Sequence, residues 1–560
     1  PLKSIILNFV GTGTTESLSY VPKLRFVNKR VLAVVVAIVV IIIIVAGIEV
    51  GLFYAHKPST TKQVGHTLII ASSQTPASLD PAVAFDTYSV FFDDQMYQTL
   101  LGYGTTTVNG VTYGSLSPVP ELATSWVVNP NGSVLFNLRH NVTFWNGDPF
   151  NASDVQYSLE RVITMSQGAS FHVAQFLNDS GIHVINQYQI LLVPSAPYPW
   201  FLNLFQLWVT GIVDPAYVNA HGGVQKDQVN QWMSDHAMGT GPYELSSYST
   251  SEIVLTANPH YWGGQPNITQ IDYEIVSSPA TQQTLLESGA VNVALNIPLD
   301  QMPSLKNYTS VKVEAGPTSS EYYIGLDENV TPFNNVDVRK AIEYAVNTTE
   351  LTDYSTFGYG IVIHSVIAPT IESYIPAFQN YTFNLSMARH YLNLAGYSHG
   401  FTTSFYYTAG DPIGSAIATI LQQELAKVNI TLNLHAIEST TFDDEVGNGQ
   451  WPMFYEGWVN LLATPDDGMR PLFNAANIGI YGNYNYFNNS TVSKDLVEAG
   501  KLYNQTQRDA LYEQVQRILA QQAVEVPLFN LENVIPVTSN VHNLYIYPTF
   551  DIFVYQASMT

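Results

Sequence analysis

Histidine, carboxylate and serine side chains are plentiful in this sequence, but their spacing matches no local catalytic or metal-binding motif. The closest two of its 13 histidines, His390 and His399, lie nine positions apart, so no HExxH-type zinc site exists. Cysteine is absent, which excludes disulfides, thiolate zinc sites and a lipid-modified N-terminal cysteine. A phosphate-binding Gly-rich loop and a GxSxG nucleophile elbow are missing as well. We therefore expect no cofactor, no metal and no enzymatic activity; a surface hydrolase built from two distant carboxylates is the remaining catalytic alternative.

Charged side chains make up only 12% of the chain, and most of them are acidic. The 21 basic and 45 acidic residues leave a formal net charge of −24 at pH 7, so no basic surface is ready to bind nucleic acid. A sparsely charged acidic surface suits an acidic exterior, because few groups repel one another once the carboxylates are protonated. We hypothesise an acidophilic, archaeal source. With 560 residues, the chain is too long for one ordinary core.

One apolar run, residues 31–48 (VLAVVVAIVVIIIIVAGI), predicts a membrane-spanning helix of about 27 Å, close to a bilayer core. The run exceeds the apolar region of a usual signal peptide, and no clear cleavage site follows it. We expect a retained signal-anchor over residues 31–50, with a cleaved signal peptide as the alternative. The excess of basic residues before the run predicts a cytoplasmic tail (1–30), a stalk (51–65) and an extracellular remainder. These basic residues are Lys23, Arg25, Lys29 and Arg30 before the run, and Lys57 and Lys62 after it.

Asn-x-Ser/Thr sequons occur only after the apolar run. A single sequon is weak evidence, but this many on one side of a membrane segment favour a glycosylated surface protein. The predicted glycosylation sites are Asn131, Asn141, Asn151, Asn178, Asn267, Asn307, Asn329, Asn347, Asn380, Asn384, Asn429, Asn488, Asn489 and Asn504.

Short β-like runs and amphipathic helices alternate through the exterior part, which predicts α/β domains. The clearest helix covers residues 412–428, where Ile417, Leu421 and Leu425 recur at helical spacing, and a strand follows at 430–434. Other predicted elements are strands at 66–73 and 252–256 and helices at 89–101 and 154–162.

Six blocks of the exterior part occur in an order that is known from one protein family. The longest, residues 120–162, contains Leu-Ala-x-x-Trp, a turn, Phe-x-Leu-Arg, Phe-x-x-Gly and Asp-Val before a helix. On these blocks the chain resembles the family 5 solute-binding proteins, the oligopeptide-, dipeptide- and nickel-binding group of ABC transporters. The other blocks are SLDPAVAFDTYS (78–89), GTGPYEL (239–245) with NPHYW (258–262), PFNNVDVRKAIEYAVN (332–347), ARHYLNLAGY (388–397) and EGW (456–458).

The resemblance implies an α/β fold: a class II periplasmic-binding-protein-like, two-lobed clamp with an extra subdomain, here preceded by the predicted transmembrane helix. Lobe I would comprise residues 66–104, 238–316 and 527–560. The extra subdomain would comprise residues 105–237, and lobe II residues 317–526. The cleft between the lobes would close over ligand by a hinge motion.

The resemblance leaves the ligand open. In peptide-binding members, an aspartate shortly after the Gly-Trp pairs with the α-amine of the peptide. The third position after Trp458 is Leu461 here, and Asp466 and Asp467 come later, so this acid is absent or displaced. A buried ammonium without a carboxylate is costly, which makes an oligosaccharide, held by aromatic faces and amides, the alternative to an oligopeptide. The candidate ligand-binding residues are Trp458, Asn460, Tyr455, Tyr88, Trp145, Trp200 and Asp466.

The function implied by the resemblance is that of an extracellular substrate-binding subunit of an ABC importer. Such a subunit captures oligopeptides or oligosaccharides and delivers them to a membrane permease that a cytoplasmic ATPase drives. The expected partners are therefore this permease, a peptide or oligosaccharide ligand and, through the N-terminal helix, the membrane. A structural or adhesive cell-surface glycoprotein on the same fold is the alternative outside transport.

Overall fold

The computed structural model describes residues 66–108, 110–479 and 482–560. The predicted cytoplasmic tail, signal-anchor and stalk lie outside the described residues. Within the described ranges, no helix is both long enough and apolar enough to cross a bilayer.

The described chain alternates strands and helices. The strands are β1 (His66–Ser72), β2 (Leu101–Val108), β3 (Val111–Pro120), β4 (Ala123–Val128), β5 (Val134–Leu138), β6 (Ile182–Asn186), β7 (Gln189–Leu192), β8 (Tyr243–Tyr248), β9 (Glu252–Ala257), β10 (Ile268–Ile275), β11 (Val293–Ala294), β12 (Val311–Gly316), β13 (Ser320–Leu326), β14 (Gly360–Val362), β15 (Phe401–Thr408), β16 (Ile430–Ile437), β17 (Met453–Val459), β18 (Glu525–Leu531), β19 (Asn533–Thr538), β20 (Val541–His542) and β21 (Ser558–Met559). The α-helices are α1 (Thr87–Met96), α2 (Ala152–Met165), α3 (Ser170–Ala174), α4 (Pro215–Ala220), α5 (Pro279–Ser288), α6 (Met302–Leu305), α7 (Val336–Ala345), α8 (Thr348–Ser355), α9 (Leu385–Leu394), α10 (Pro412–Ala426), α11 (Ser439–Glu445), α12 (Pro465–Phe473), α13 (Ser490–Ala499) and α14 (Gln505–Gln522).

Two mixed sheets form the two lobes. The first has the strand order β12-β19-β11-β1-β10-β9-β8, and the second has the order β14-β18-β13-β17-β15-β16. In the second sheet β15 and β16 are parallel, and α10 connects them, as a parallel pair requires. The predicted two-lobed α/β architecture is therefore confirmed.

The chain passes between the two sheets at two adjacent places. Strand β12 leads into β13, and β18 leads into β19 with only Glu532 between them. Hydrogen bonds tie these connections together: Asn530 Nδ2 donates to the Thr318 carbonyl at 3.1 Å, and Thr318 Oγ1 donates to the Leu531 carbonyl at 2.6 Å. Two short adjacent connections of this kind suit a hinge, since only a few residues need to change conformation when the lobes move.

A smaller four-stranded sheet, β4-β5-β7-β6, and the β2–β3 hairpin stand apart from the two main sheets. Apolar side chains of this sheet and of α2 belong to the same buried cluster as side chains of α12, α13 and α14, which follow β17 in the chain. This cluster therefore packs the small sheet together with helices from a distant part of the sequence. Examples are Phe136, Val155, Met469, Leu496 and Leu519, all of which are buried.

Helix boundaries follow from capping side chains. The structure begins α2 at Ala152, two residues before the predicted start, because the Asn151 side chain accepts the Ser153 amide and Asp154 closes a capping box. The helix predicted over 89–101 ends at Met96, since Leu101 already starts β2. The helix predicted over 412–428 is α10, which Asp411 caps and Pro412 begins.

Candidate functional site

A cavity of about 980 Å³ lies in the described part of the chain. We call it the main cavity. Its wall is built from distant parts of the sequence: the start of α1, the region around α3, the segment from β17 through α12, and residues 549–551. A cavity of this size, formed where separate parts of a fold meet, is typical of a small-molecule binding site.

Aromatic side chains form much of the main cavity. Phe176 and Tyr198 stack face to face, with ring centroids 3.5 Å apart. Trp458 also lines the cavity, and its indole N–H donates to the Asp467 carbonyl at 2.9 Å. Because this bond fixes the indole ring, the cavity presents a rigid apolar surface to a ligand.

Charged groups enter the main cavity from α12. Thr464 caps this helix by accepting the Asp467 amide, and Asp466 and Asp467 occupy its first turn, where the helix dipole favours negative charge. Arg470 follows one turn later and pairs with Asp466 at 2.8 Å. Burial raises the pKa of Asp466 to about 6, although Arg470 opposes that rise.

Two contacts cross the main cavity from α12 to the region of α3. The Asp467 Oδ1 atom lies 3.8 Å from His172 Nδ1, and Arg470 donates to the Gln175 side chain at 2.7 Å. Burial lowers the pKa of His172, while Asp467 acts in the opposite direction. The guanidinium of Arg470 also lies 5.5 Å from the centre of the Phe176 ring. The cavity therefore holds acidic and basic groups side by side.

Of the residues predicted from the sequence, Trp458 and Asp466 line the main cavity. Asn460 lies just beneath it and is fully buried. Its side chain donates to the Thr464 carbonyl and accepts the Thr464 amide, so it shapes the loop that precedes α12.

The other four predicted residues lie outside the lining of the main cavity. Tyr455 packs in the core of the second sheet, and Trp145 packs against the core of the first. The Tyr88 hydroxyl accepts a hydrogen bond from Asn296 at 2.7 Å. Trp200 donates to Glu372 at 2.9 Å and lies under the Arg508 guanidinium, so it joins the region before α4 to the second lobe.

Sequence reasoning did not single out His172, Gln175, Phe176 or Arg470 as site residues. The first three belong to a short stretch without a motif, and only the folded chain brings them opposite α12. Arg470 was in principle detectable, because a basic residue four positions after Asp466 on a predicted helix forms an i,i+4 pair.

Residues 117–479 match the sequence profile of the bacterial extracellular solute-binding proteins, family 5 Middle. The chain belongs to this family. The predicted family is thereby confirmed, and membership places the chain among extracellular solute-binding proteins and not among enzymes.

Known family 5 proteins resemble the chain along most of its length. The probable D,D-dipeptide-binding periplasmic protein DdpA of Escherichia coli K12 is 28% identical over 464 residues, covering 82% of this chain and 88% of DdpA. The glutathione-binding protein GsiB of Salmonella typhimurium is 26% identical over 493 residues, covering 86% of this chain and 92% of GsiB. The structure of Helicobacter pylori DppA in complex with the peptide STSA shares the fold, with a TM-score of 0.74, 24% identity, and coverage of 89% of this chain and 99% of DppA.

Proposed function

We propose that this protein is the substrate-binding subunit of an ABC importer and captures short peptides in the main cavity. One observation carries the proposal: the cavity combines an acid, Asp467, with a basic group, Arg470, inside aromatic walls. A free peptide is a zwitterion with an apolar or polar body, so it complements both charges and the walls. The names of DdpA and GsiB, which bind a dipeptide and glutathione, support the same ligand class.

Asp467 is the residue we assign to the peptide α-amine. Its Oδ2 atom accepts the Leu462 amide at 3.1 Å, which fixes the carboxylate, and its Oδ1 atom points toward His172. An ammonium group bound at Oδ1 would form a charge-assisted hydrogen bond in a largely buried site. Asp467 thus takes the role of the amine-pairing acid that is missing at Leu461.

Arg470 is the residue we assign to the peptide carboxylate. Its guanidinium has five donors, of which the structure uses some for Asp466 and Gln175. A ligand carboxylate can replace the Gln175 contact without leaving Asp466 unpaired. An uncharged oligosaccharide has no ionic group to pair with Asp467 and Arg470, so it cannot offset the cost of desolvating these charges. The charged lining therefore favours the peptide.

The test compares peptide binding to the full-length chain and to Asp467→Asn by isothermal titration. Loss of the charge is expected to weaken binding roughly 30-fold or more, about 2 kcal/mol, while the amide retains the hydrogen bond to Leu462. The matched control is Asp495→Asn: this acid is also buried, bonds Gln514 at 3.0 Å and lies outside the lining of the main cavity. Tight binding of neutral oligosaccharides, or equal peptide binding by both variants, would refute the proposal.

We also propose that the protein is tethered to the membrane by residues 31–50 and delivers its ligand to a permease. The apolar run, the basic residues before it and the extracellular family support this arrangement. In native membranes the intact chain is expected to resist carbonate extraction and to be released by detergent. Release by carbonate alone would contradict the tether.

The sequons support a glycosylated surface. The structure leaves eleven of the predicted asparagines exposed and three, Asn151, Asn347 and Asn489, half-buried, whereas seven asparagines outside sequons are buried. Two of the sequon asparagines use their side-chain amide groups as hydrogen-bond donors: Asn329 donates to the Gly449 carbonyl, and Asn347 donates to the Glu350 side chain. Peptide mass spectrometry is expected to find glycans at exposed sites such as Asn131 and Asn141, and less at Asn329 and Asn347. Unmodified peptides throughout would overturn this part of the proposal.

A further inference from the structure

A second cavity, of about 170 Å³, lies next to the main cavity. We call it the side cavity. Trp208 lines both cavities, and Asp551 of the main cavity is hydrogen-bonded to Asp94 of the side cavity. The boundary between the two cavities therefore contains an acid–acid pair.

Three acids line the side cavity, and its lining includes no Lys, Arg or His. Asp93 is 1% exposed, and neither of its carboxylate oxygens has a hydrogen-bond partner among the described residues. The Oδ2 atom of Asp94 is likewise buried without a partner there. Glu121 accepts from Gln98 and from Thr99. Buried carboxyl oxygens normally have hydrogen-bond partners, so both oxygens of Asp93 and the second oxygen of Asp94 require an explanation.

The charged groups behind these acids do not supply the missing partners. Asp80, Asp86 and Arg161 face Asp93, but Arg161 is already paired with Asp80. Asp551, Asp93 and Glu121 face Asp94. Arg139 lies near Glu121, donates to the Glu121 carbonyl at 3.0 Å and stacks on Trp262 at 3.6 Å. Burial and the neighbouring acids raise the pKa of both Asp93 and Asp94 well above the usual range.

Aromatic side chains form a large part of the remaining wall. Tyr97, Tyr103, Tyr261 and Trp262 are among the lining residues. Aromatic faces attract organic cations, and an alkylammonium group combines three N–H donors with an apolar stem. A metal ion suits this lining less, since no described group of three or more acids or histidines is arranged to hold one.

We propose that the side cavity is a binding site for an alkylammonium group, held by Asp93 and Asp94 and enclosed by aromatic rings. The group reaches the cavity in one of two ways: as the side chain of a lysine in a peptide bound in the main cavity, which rests on the proposed function, or as a free amine. Binding of one ammonium charge is balanced by the loss of one proton from the acid pair, so it releases one proton and strengthens by up to about tenfold per pH unit as the pH rises, while the pair is protonated.

Isothermal titration of the chain tests this proposal with two matched pairs of probes. They are Ala-Lys-Ala with Ala-norleucine-Ala, which lacks the ammonium group, and n-butylammonium with n-butanol. In at least one of the two pairs, we expect the probe with the ammonium group to bind at least about tenfold more tightly than the uncharged one. The lysine peptide is compared with the norleucine peptide, and butylammonium is compared with n-butanol. Proton release is read from titrations in buffers of different ionisation enthalpy.

Two variants and one control decide the assignment to residues. Asp93→Asn and Asp94→Asn resemble the protonated acids, so the fold is retained while the preference for the ammonium group and the proton release are lost. Glu343→Gln is the control, because Glu343 is buried, has an unpartnered oxygen and lies outside the lining of either cavity. In Glu343→Gln, the preference for the ammonium group is expected to be retained.

The outcomes separate the side cavity from the main cavity. Binding of both peptides with equal affinity and no binding of butylammonium would overturn the side-cavity proposal and leave the proposed function standing. Binding of butylammonium that Asp94→Asn abolishes, without binding of either peptide, would support the side cavity and refute the peptide function. A preference for lysine that both Asn variants retain would overturn the assignment to Asp93 and Asp94.

Discussion

The main cavity and the side cavity both contain buried carboxyl groups, but among the described lining acids only Asp466 and Asp467 of the main cavity lie within ion-pair distance of a basic group. Asp466 is paired with Arg470, and Asp467 lies near His172. Across the wall, Asp93 and Asp94 have other acids as neighbours, and Asp94 is hydrogen-bonded to Asp551. The first arrangement provides charged groups that complement a zwitterion, whereas in the second burial and acidic neighbours raise the pKa of both aspartates.

The difference shows that burial alone does not define an acid's role. In the main cavity Arg470 offsets part of the desolvation, so the pKa of Asp466 rises only to about 6. At the boundary between the two cavities, Asp551 is hydrogen-bonded to Asp94 and has no cation to offset its desolvation, and burial raises its pKa to about 7. Acids of the second kind stabilise the fold while protonated, which suits the acidic exterior that we hypothesised from the low charge content.

The largest expected effect is on the pH dependence of stability. Burial raises the pKa of Asp551 and Glu456 to about 7 and that of Glu525 to about 8. These folded-state values exceed the unfolded ones, so the folded chain binds more protons, and stability is greatest below about pH 4 and falls through about pH 7–8. The free energy of unfolding, measured with denaturant, is expected to decrease by on the order of 5 kcal/mol between about pH 4 and pH 8. A rise over this range would contradict the account.

Next in size is the loss of the pair in the main cavity. Arg470→Ala leaves Asp466, which is 1% exposed, without its cation, and near pH 8 we expect a loss on the order of 3 kcal/mol in unfolding free energy. Adding Asp466→Asn to this variant removes the unpaired charge and should restore most of the stability. If the double variant is no more stable than the single one, the pair does not behave as proposed.

The side cavity should respond in the opposite direction. Burial and neighbouring acids raise the pKa of Asp94 in the folded chain, which lowers stability once the pH exceeds the unfolded-state value, so Asp94→Asn is expected to stabilise the fold near pH 8 and to change it little near pH 4. Thermal unfolding at both pH values measures this difference. Destabilisation near pH 8 would mean that the Asp94 carboxylate has a stabilising partner, contrary to the comparison of the two cavities.

The smallest effect is expected at an exposed pair, which serves as the reference for both cavities. Arg517 and Glu513 lie 3.1 Å apart on α14, with side chains 60% and 40% exposed. Arg517→Ala should change the unfolding free energy by less than about 0.5 kcal/mol, because solvent screens the pair. If Arg517→Ala lowers the unfolding free energy as much as Arg470→Ala does, burial does not explain the larger contribution expected of the Asp466–Arg470 pair.

The sequence predicted the parts of the fold that depend on local patterns. The helical spacing of Ile417, Leu421 and Leu425 marked α10 closely, because its apolar face is packed along its whole length. The start of α2 was less accurate, since the side chain that caps it is Asn151 and not an acid at the start of the apolar pattern. The membrane segment and stalk stay predictions.

The candidate site was harder to predict, because its walls come together only in the folded chain. Trp458 and Asp466 could be proposed since one motif carries both. Trp145 and Trp200 could not be separated from cavity residues, because a buried core tryptophan and a ligand-facing one look alike in sequence. His172 lies almost 300 positions before Asp467, so no local pattern links the two.

The most direct test of the central claim, that Asp467 and Arg470 hold the two ends of a peptide, is isothermal titration with a tripeptide and its N-acetylated form. Acetylation removes the ammonium charge and keeps the rest of the ligand. We predict that the free tripeptide binds and that acetylation weakens binding roughly 30-fold or more, with the difference lost in Asp467→Asn. Equal affinity for the two forms in the unmodified protein would contradict the claim.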